Sequence, residues 1–168
     1  MMVIALGMLA WQAKLSRREA GPKEILRPTQ VPAERYELLA RFEPPGYVPG
    51  EGSLQLQKAM RQYVQRDYVG AIEGLRAIIA AHPTDVEARF YLGISLLLAN
   101  DAPAGDAELR NVIATGKTPF LEQARFYLAK GLLSRGDIAE AQQGLKDVVA
   151  MHGDLERQAE ALLHQVKP

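Results

Sequence analysis

His82, His152 and His164 are the side chains whose type best suits proton transfer or metal binding near neutral pH. No two of them stand at the i, i+4 spacing that puts two imidazoles on one helix face, and the sequence has no cysteine to complete a zinc site. Ser16, Ser53, Ser95 and Ser134 have no histidine close by in sequence, and no Gly-x-Ser-x-Gly elbow, phosphate-binding loop or Gly-x-Gly-x-x-Gly turn occurs. Asp67, Asp101 and Asp137 recur at intervals of 34 and 36 residues, which raises the idea of a carboxylate cluster for calcium or acid–base work. The regular phasing argues against it, because one aspartate per repeating unit is spread along a rim rather than gathered at a point. Each stands where a helical pattern begins, so its carboxylate can accept a backbone N–H as an N-cap, worth about 1 kcal/mol. Asp137 alone adds a capping-box partner three residues on, Glu140. Glu108, Glu122 and Glu140 read as solvated helix faces. His82 and His152 fall near helix C-termini, where a basic group suits the dipole. The expectation is a protein with no catalytic residue, no metal and no cofactor, and therefore not an enzyme.

The elements behind these residues repeat. The five residues ARFYL occur at 88–92 and again at 124–128, 36 residues on. Aligned on them, Leu92-Gly93 meets Leu128-Ala129, Leu96-Leu97 meets Leu132-Leu133, and Leu109 meets Leu145. An earlier unit joins through residues 66–75, with Asp67 in the place of Asp101 and Asp137. Apolar residues recur at helical spacing and no sustained period-two stretch suggests a strand. Each unit reads as two helices joined by a tight turn, with Ala59, Gly93 and Ala129 letting the pair approach closely. Residues 155–166 carry Leu155, Ala159, Leu162, Leu163 and Val166 on one face, as a lid for the last unit requires.

This pattern resembles the tetratricopeptide repeat (TPR) family, and the whole arrangement is similar to its membrane-anchored bacterial members. The small-residue step appears as Leu92-Gly93-x2-Leu96 and Leu128-Ala129-x2-Leu132, followed by Gly105-x3-Leu109 and Ala141-x3-Leu145. The first unit has Ala59, then Ala71-x3-Leu75 and the closing Pro83. The family's tryptophan position holds Gln55, Arg89 and Arg125, and Lys58 and Gln62 replace the expected Leu and Tyr of the first unit. The resemblance implies an all-α fold: a right-handed superhelix of about three TPR-like helical hairpins (53–85, 86–119 and 120–154) with a C-terminal capping helix at 155–166, together a domain over 53–168.

Composition divides the chain before that domain. Six of the ten prolines lie between Gly21 and Gly50, and a helix interior rejects proline at about 3 kcal/mol, so 21–52 reads as a linker with one short helix at 33–42. Residues 1–11 carry no charge and are followed by Lys14, Arg17 and Arg18. That run is shorter than the roughly 20 residues of a spanning helix, and its basic residues follow rather than precede it, unlike a secretory signal. Residues 1–20 are then the end of a membrane span, a short interfacial anchor, or an apolar helix packed on the domain or a partner. A single-pass, membrane-associated chain is favoured over a cytoplasmic one. Twenty basic and twenty acidic residues cancel, which argues against a nucleic-acid partner.

In the family the first helix of each hairpin lines a concave surface. Carried over by alignment, the partner-binding residues are Met60, Tyr63, Phe90, Tyr91, Ile94, Phe126, Tyr127 and Lys130. One expectation is an apolar groove for an extended or helical peptide. The other has the phenylalanines packed between hairpins with only the tyrosine hydroxyls reaching solvent. A clamp for a chaperone's C-terminal carboxylate, found in some members, is not expected: its places hold Leu56, Met60, Tyr91, Gln123 and Tyr127. Residues 43–50, EPPGYVPG, are extended by their prolines and precede the first hairpin, so they can fold back over the groove or over the first unit's apolar edge. The function expected is a protein–protein interaction module or scaffold binding a partner peptide or protein. The alternative is a structural subunit of a larger assembly, with the N-terminal helix as a contact between chains.

Overall fold

The structure, a computed structural model, describes residues 44–47 and 52–166, all within the compact unit Pro32–Pro168. The expected N-terminal helix over 1–20, the short helix at 33–42 and most of the linker lie outside the described residues. Among the described residues there are seven helices and no strand: α1 (Leu54–Val64), α2 (Tyr68–Ala81), α3 (Val86–Leu98), α4 (Ala102–Ala114), α5 (Leu121–Arg135), α6 (Ile138–Val149) and α7 (Glu156–Val166). The chain is an all-α repeat superhelix of three hairpins, α1–α2, α3–α4 and α5–α6, with α7 packed on α6.

The turn inside each hairpin is built the same way. A residue in the left-handed region ends the first helix: Arg66 at φ 63°, Asn100 at φ 63° and Gly136 at φ 81°. Asn and Gly tolerate that conformation, whereas Arg66 carries a steric cost of about 1 kcal/mol. The next residue is the repeated aspartate. Asp67 Oδ1 accepts from Gly70 N at 3.0 Å and Asp101 Oδ1 from Ala104 N at 3.3 Å, as N-caps. Asp85 and Ser53 cap α3 and α1 likewise, accepting from Ala88 N at 2.9 Å and Leu56 N at 3.2 Å.

Asp137 departs from the expectation. Its side chain makes no capping bond to α6. Arg135 draws it away, its guanidinium lying 3.3 Å from the Asp137 carboxylate and 2.5 Å from that of buried Asp106. Glu140, the paper partner of the capping box, instead meets Arg110 of α4 at 2.5 Å. The other glutamates are not simply solvated either. Glu108 meets Arg89 at 2.6 Å. Glu122 Oε1 accepts from Leu155 N at 2.8 Å, ahead of α7, and Gly153 lacks the Cβ that would strike that carboxylate. Donors distant in sequence take the place of solvent at each.

Both helices of every hairpin touch at a small residue. A Cβ at Gly74 would lie 2.9 Å from Ala59 Cβ, one at Gly105 would lie 2.9 Å from the Gly93 carbonyl, and one at Gly144 would lie 3.3 Å from Ala129 Cβ. Contact this close leaves Leu75, Leu109 and Leu145 fully buried beside it. Burying such a side chain contributes about 1.5–3 kcal/mol.

The caps generate a comparison. Asp101→Ala removes a cap bond and is expected to lower stability by about 1 kcal/mol. Asp137→Ala removes only an exposed ion pair and is expected to cost under about 0.5 kcal/mol. Urea unfolding of the two variants measures the difference, and equal losses would contradict the assignment.

Candidate functional site

The candidate binding residues come from one helix of each hairpin. α1 supplies Met60 and Tyr63, α3 supplies Phe90, Tyr91 and Ile94, and α5 supplies Phe126, Tyr127 and Lys130. The fold brings the aromatic members together as one seam across the three helices. Tyr63 lies 5.4 Å from Tyr91 ring to ring, and Phe90 lies 5.2 Å from Tyr91 and 6.3 Å from Tyr127. Tyr127 in turn lies 5.6 Å from Phe126. Most of these contacts are edge-to-face, the arrangement in which a ring's positive edge meets a negative face. Met60, Phe90 and Ile94 have no accessible surface and belong to the core beneath the seam. Tyr63, Tyr91, Phe126, Tyr127 and Lys130 are buried as well, between 4 % and 8 % exposed.

Two of the tyrosine hydroxyls are bonded by the chain itself. Tyr63 Oη donates to the Pro45 carbonyl at 3.1 Å, and Tyr91 Oη donates to the next carbonyl, Gly46, also at 3.1 Å. The Tyr47 ring stands edge-on to Tyr91 at 5.8 Å. Of the two places open to the proline-rich segment, its described part, residues 44–47, therefore takes the aromatic face of α1 and α3. Pro44, Pro45 and Tyr47 are half-buried there, while Gly46 is exposed with open space where a Cβ would project.

Burial sets the electrostatics. Desolvation, with the Glu87 carboxylate and Tyr47 as lesser causes, pushes Tyr91 up to about 12. Desolvation also raises Tyr63, with neighbouring tyrosines adding to the shift. Both hydroxyls thus stay protonated donors at any physiological pH. Lys130 is lowered to about 8 by desolvation, and its ammonium sits 5.6 Å from the Phe126 ring centre, within cation–π range.

Phe120 is a member of the seam that the sequence reading missed. It stacks on Phe90 at 5.0 Å and stands 6.2 Å from Tyr91. It occupies the N-cap of α5 without a side-chain capping bond. An aromatic where a capping Ser, Asp or Asn is usual is the signal that marks it. Among the described residues no group of three His, Cys, Asp or Glu side chains is placed to hold a metal ion. His82 is the C-cap of α2, and His152 Nδ1 lies 3.1 Å from Glu156. The arrangement offers two hydroxyl donors at consecutive carbonyls of an extended chain, flanked by apolar rings.

No protein-family profile and no curated protein matches the sequence. Solved structures do match the fold. The type III secretion translocator chaperone SycD of Yersinia enterocolitica aligns with a TM-score of 0.62 at 18 % identity, over 67 % of this chain and 80 % of that one. The TPR2B domain of yeast Sti1, in its complex with pHsp70, aligns with a TM-score of 0.60 at 16 % identity, over 68 % of this chain and 97 % of that one.

The low value at Lys130 has a stability consequence. A lysine whose folded value lies below its unfolded one binds more protons when unfolded, so stability rises with pH between about 8 and the ordinary 10.5. The tyrosines act in the opposite sense above about 10. Urea midpoints are therefore expected to rise from pH 8 to pH 10 in the native chain and to stay flat over that window in Lys130→Met. A native profile that falls across it would contradict the burial of the amine.

Proposed function

We propose, from a TPR-like fold, that this chain is a non-enzymatic interaction module that holds a partner protein or peptide on the face formed by α1, α3 and α5. The partner lies over Tyr63, Tyr91, Phe126, Tyr127 and Lys130, while Met60, Phe90 and Ile94 support the face from beneath. The observation that carries this reading is the pair of hydrogen bonds from Tyr63 and Tyr91 to the consecutive carbonyls of Pro45 and Gly46: the face has the donors and apolar rings to take an extended chain. Main-chain acceptors plus apolar contacts suffice for peptide recognition without a charged clamp. Both solved neighbours hold other proteins, one as a translocator chaperone and one in a complex with pHsp70. No nucleic acid takes part, in keeping with the balanced charge.

The module is tethered to a membrane through residues 1–20, whose uncharged start and basic continuation suit an interfacial or spanning anchor. No helix among the described residues is long and apolar enough to cross a membrane. The anchor is therefore tested on residues 1–11 directly. The full chain is expected to sediment with membranes and to resist a high-salt wash, whereas a chain lacking residues 1–11 is expected in the supernatant. A full chain that stays soluble contradicts the tether.

The binding face is tested by photocrosslinking in cells. A photoreactive residue replaces half-buried Gln123, one turn before Tyr127 on α5, or exposed Glu73 on α2. The Gln123 position is expected to give a discrete adduct with another protein at least fivefold more intense than the Glu73 position. Adducts from Glu73 alone would move the interaction to the second-helix side. Adducts only with further copies of the chain would favour the structural-subunit alternative.

A further inference from the structure

We infer that residues 44–47 are a displaceable intramolecular ligand of the α1–α3 face, and that the partner segment accepted there has the same chemistry: an uncharged, extended stretch with a proline and an aromatic. This rests on the reading of that face as the partner-binding surface.

The contacts have the character of recognition more than of core packing. Two hydroxyl donors, Tyr63 and Tyr91, address two successive carbonyls, each at 3.1 Å. A carbonyl is present in any peptide, so this part of the contact does not depend on which side chains the segment carries. Selectivity comes from Tyr47, whose ring stands edge-on to Tyr91, and from the prolines. Proline holds the backbone near φ −65° and lowers the entropy lost on binding an extended chain. Pro45 lacks an N–H, so its carbonyl is the one main-chain polar group it must satisfy. The segment is shallowly held: its residues are half-buried or exposed, whereas the tyrosines they cover are 4 % and 5 % exposed. Each hydrogen bond contributes only about 0.5–1.5 kcal/mol net. Such a segment can leave without unfolding the stack.

Tethering makes it an effective competitor even so. Tyr47 is joined to Ser53, the cap of α1, by only five intervening residues. A short link holds a segment at an effective concentration on the order of millimolar. An incoming segment of equal intrinsic affinity must reach that concentration to displace half of it, and anything that pulls residues 44–47 away raises the apparent affinity of the face. The chain thus carries its own gate on the face that receives the partner.

The test uses the full chain, which has no cysteine of its own. Gly46→Cys introduces a single thiol at a position with open space for its side chain, and a nitroxide attached there reports whether the segment is held. The probe added is the synthetic peptide EPPGYVPG. The label is expected to be immobilised at first and to become mobile as the peptide reaches millimolar concentration. Tyr47→Ala in the labelled chain is expected to lower the midpoint at least fivefold, and the peptide EPPGAVPG is expected to displace the label at least fivefold less well. A label that stays immobilised at every peptide concentration in both chains overturns the inference, making the segment a fixed part of the fold. A label mobile before any addition overturns it too. In either case a discrete adduct from Gln123 in cells leaves the binding face standing, so the two readings fail separately.

Discussion

The structure depends on how closely the two helices of each hairpin approach. Ala59 against Gly74, Gly93 against Gly105, and Ala129 against Gly144 leave no room, or almost none, for a larger side chain. Packing backbones at such points brings the remaining large residues of the helices into contact over a long line. The hairpin cannot open around a bulky residue, so aromatic volume is excluded from that seam. The first helices collect it instead on the side where α1, α3 and α5 meet.

A seam rich in tyrosine has a polar requirement that phenylalanine would not impose. A buried hydroxyl without a partner costs about 1–3 kcal/mol. Tyr63 and Tyr91 are buried far enough that their ionisation is pushed upward, so each hydroxyl needs an acceptor. The carbonyls of Pro45 and Gly46 meet that requirement. The same requirement passes to any segment that replaces them, which is how a packing constraint inside the stack becomes a recognition rule on its face.

Much of this was legible in the sequence because the repeat is written in residues with local roles. The ARFYL copies, the small residues at 59, 93 and 129 and the phased aspartates each report on their own helix or turn, and the helices fall where they indicate. What was not legible depended on distant partners. Asp137 and Glu140 form a capping box by spacing, but Arg135 and Arg110 draw both side chains elsewhere. Glu122 reads as a surface acid, and its role appears only once Leu155, 33 residues on, is brought to it. At the site the helical register put the aromatic residues of α1, α3 and α5 on one side. Depth was the missing quantity, since periodicity cannot distinguish Met60 and Ile94 in the core from Tyr91 near its edge. The likeness to SycD and to the TPR2B domain rests on the fold, which is carried by those local rules.

The account turns on residues 44–47 lying against the tyrosines of α1 and α3. The most direct measurement is a proton NOE spectrum of the full chain with tyrosine rings as the only protonated side chains. Ring contacts are predicted from Tyr47 to Tyr91 and from Tyr91 to Tyr63, whose centres lie 5.8 Å and 5.4 Å apart. A spectrum with the Tyr63–Tyr91 contact but none from Tyr47 would contradict it, leaving an aromatic face with no segment of the chain upon it.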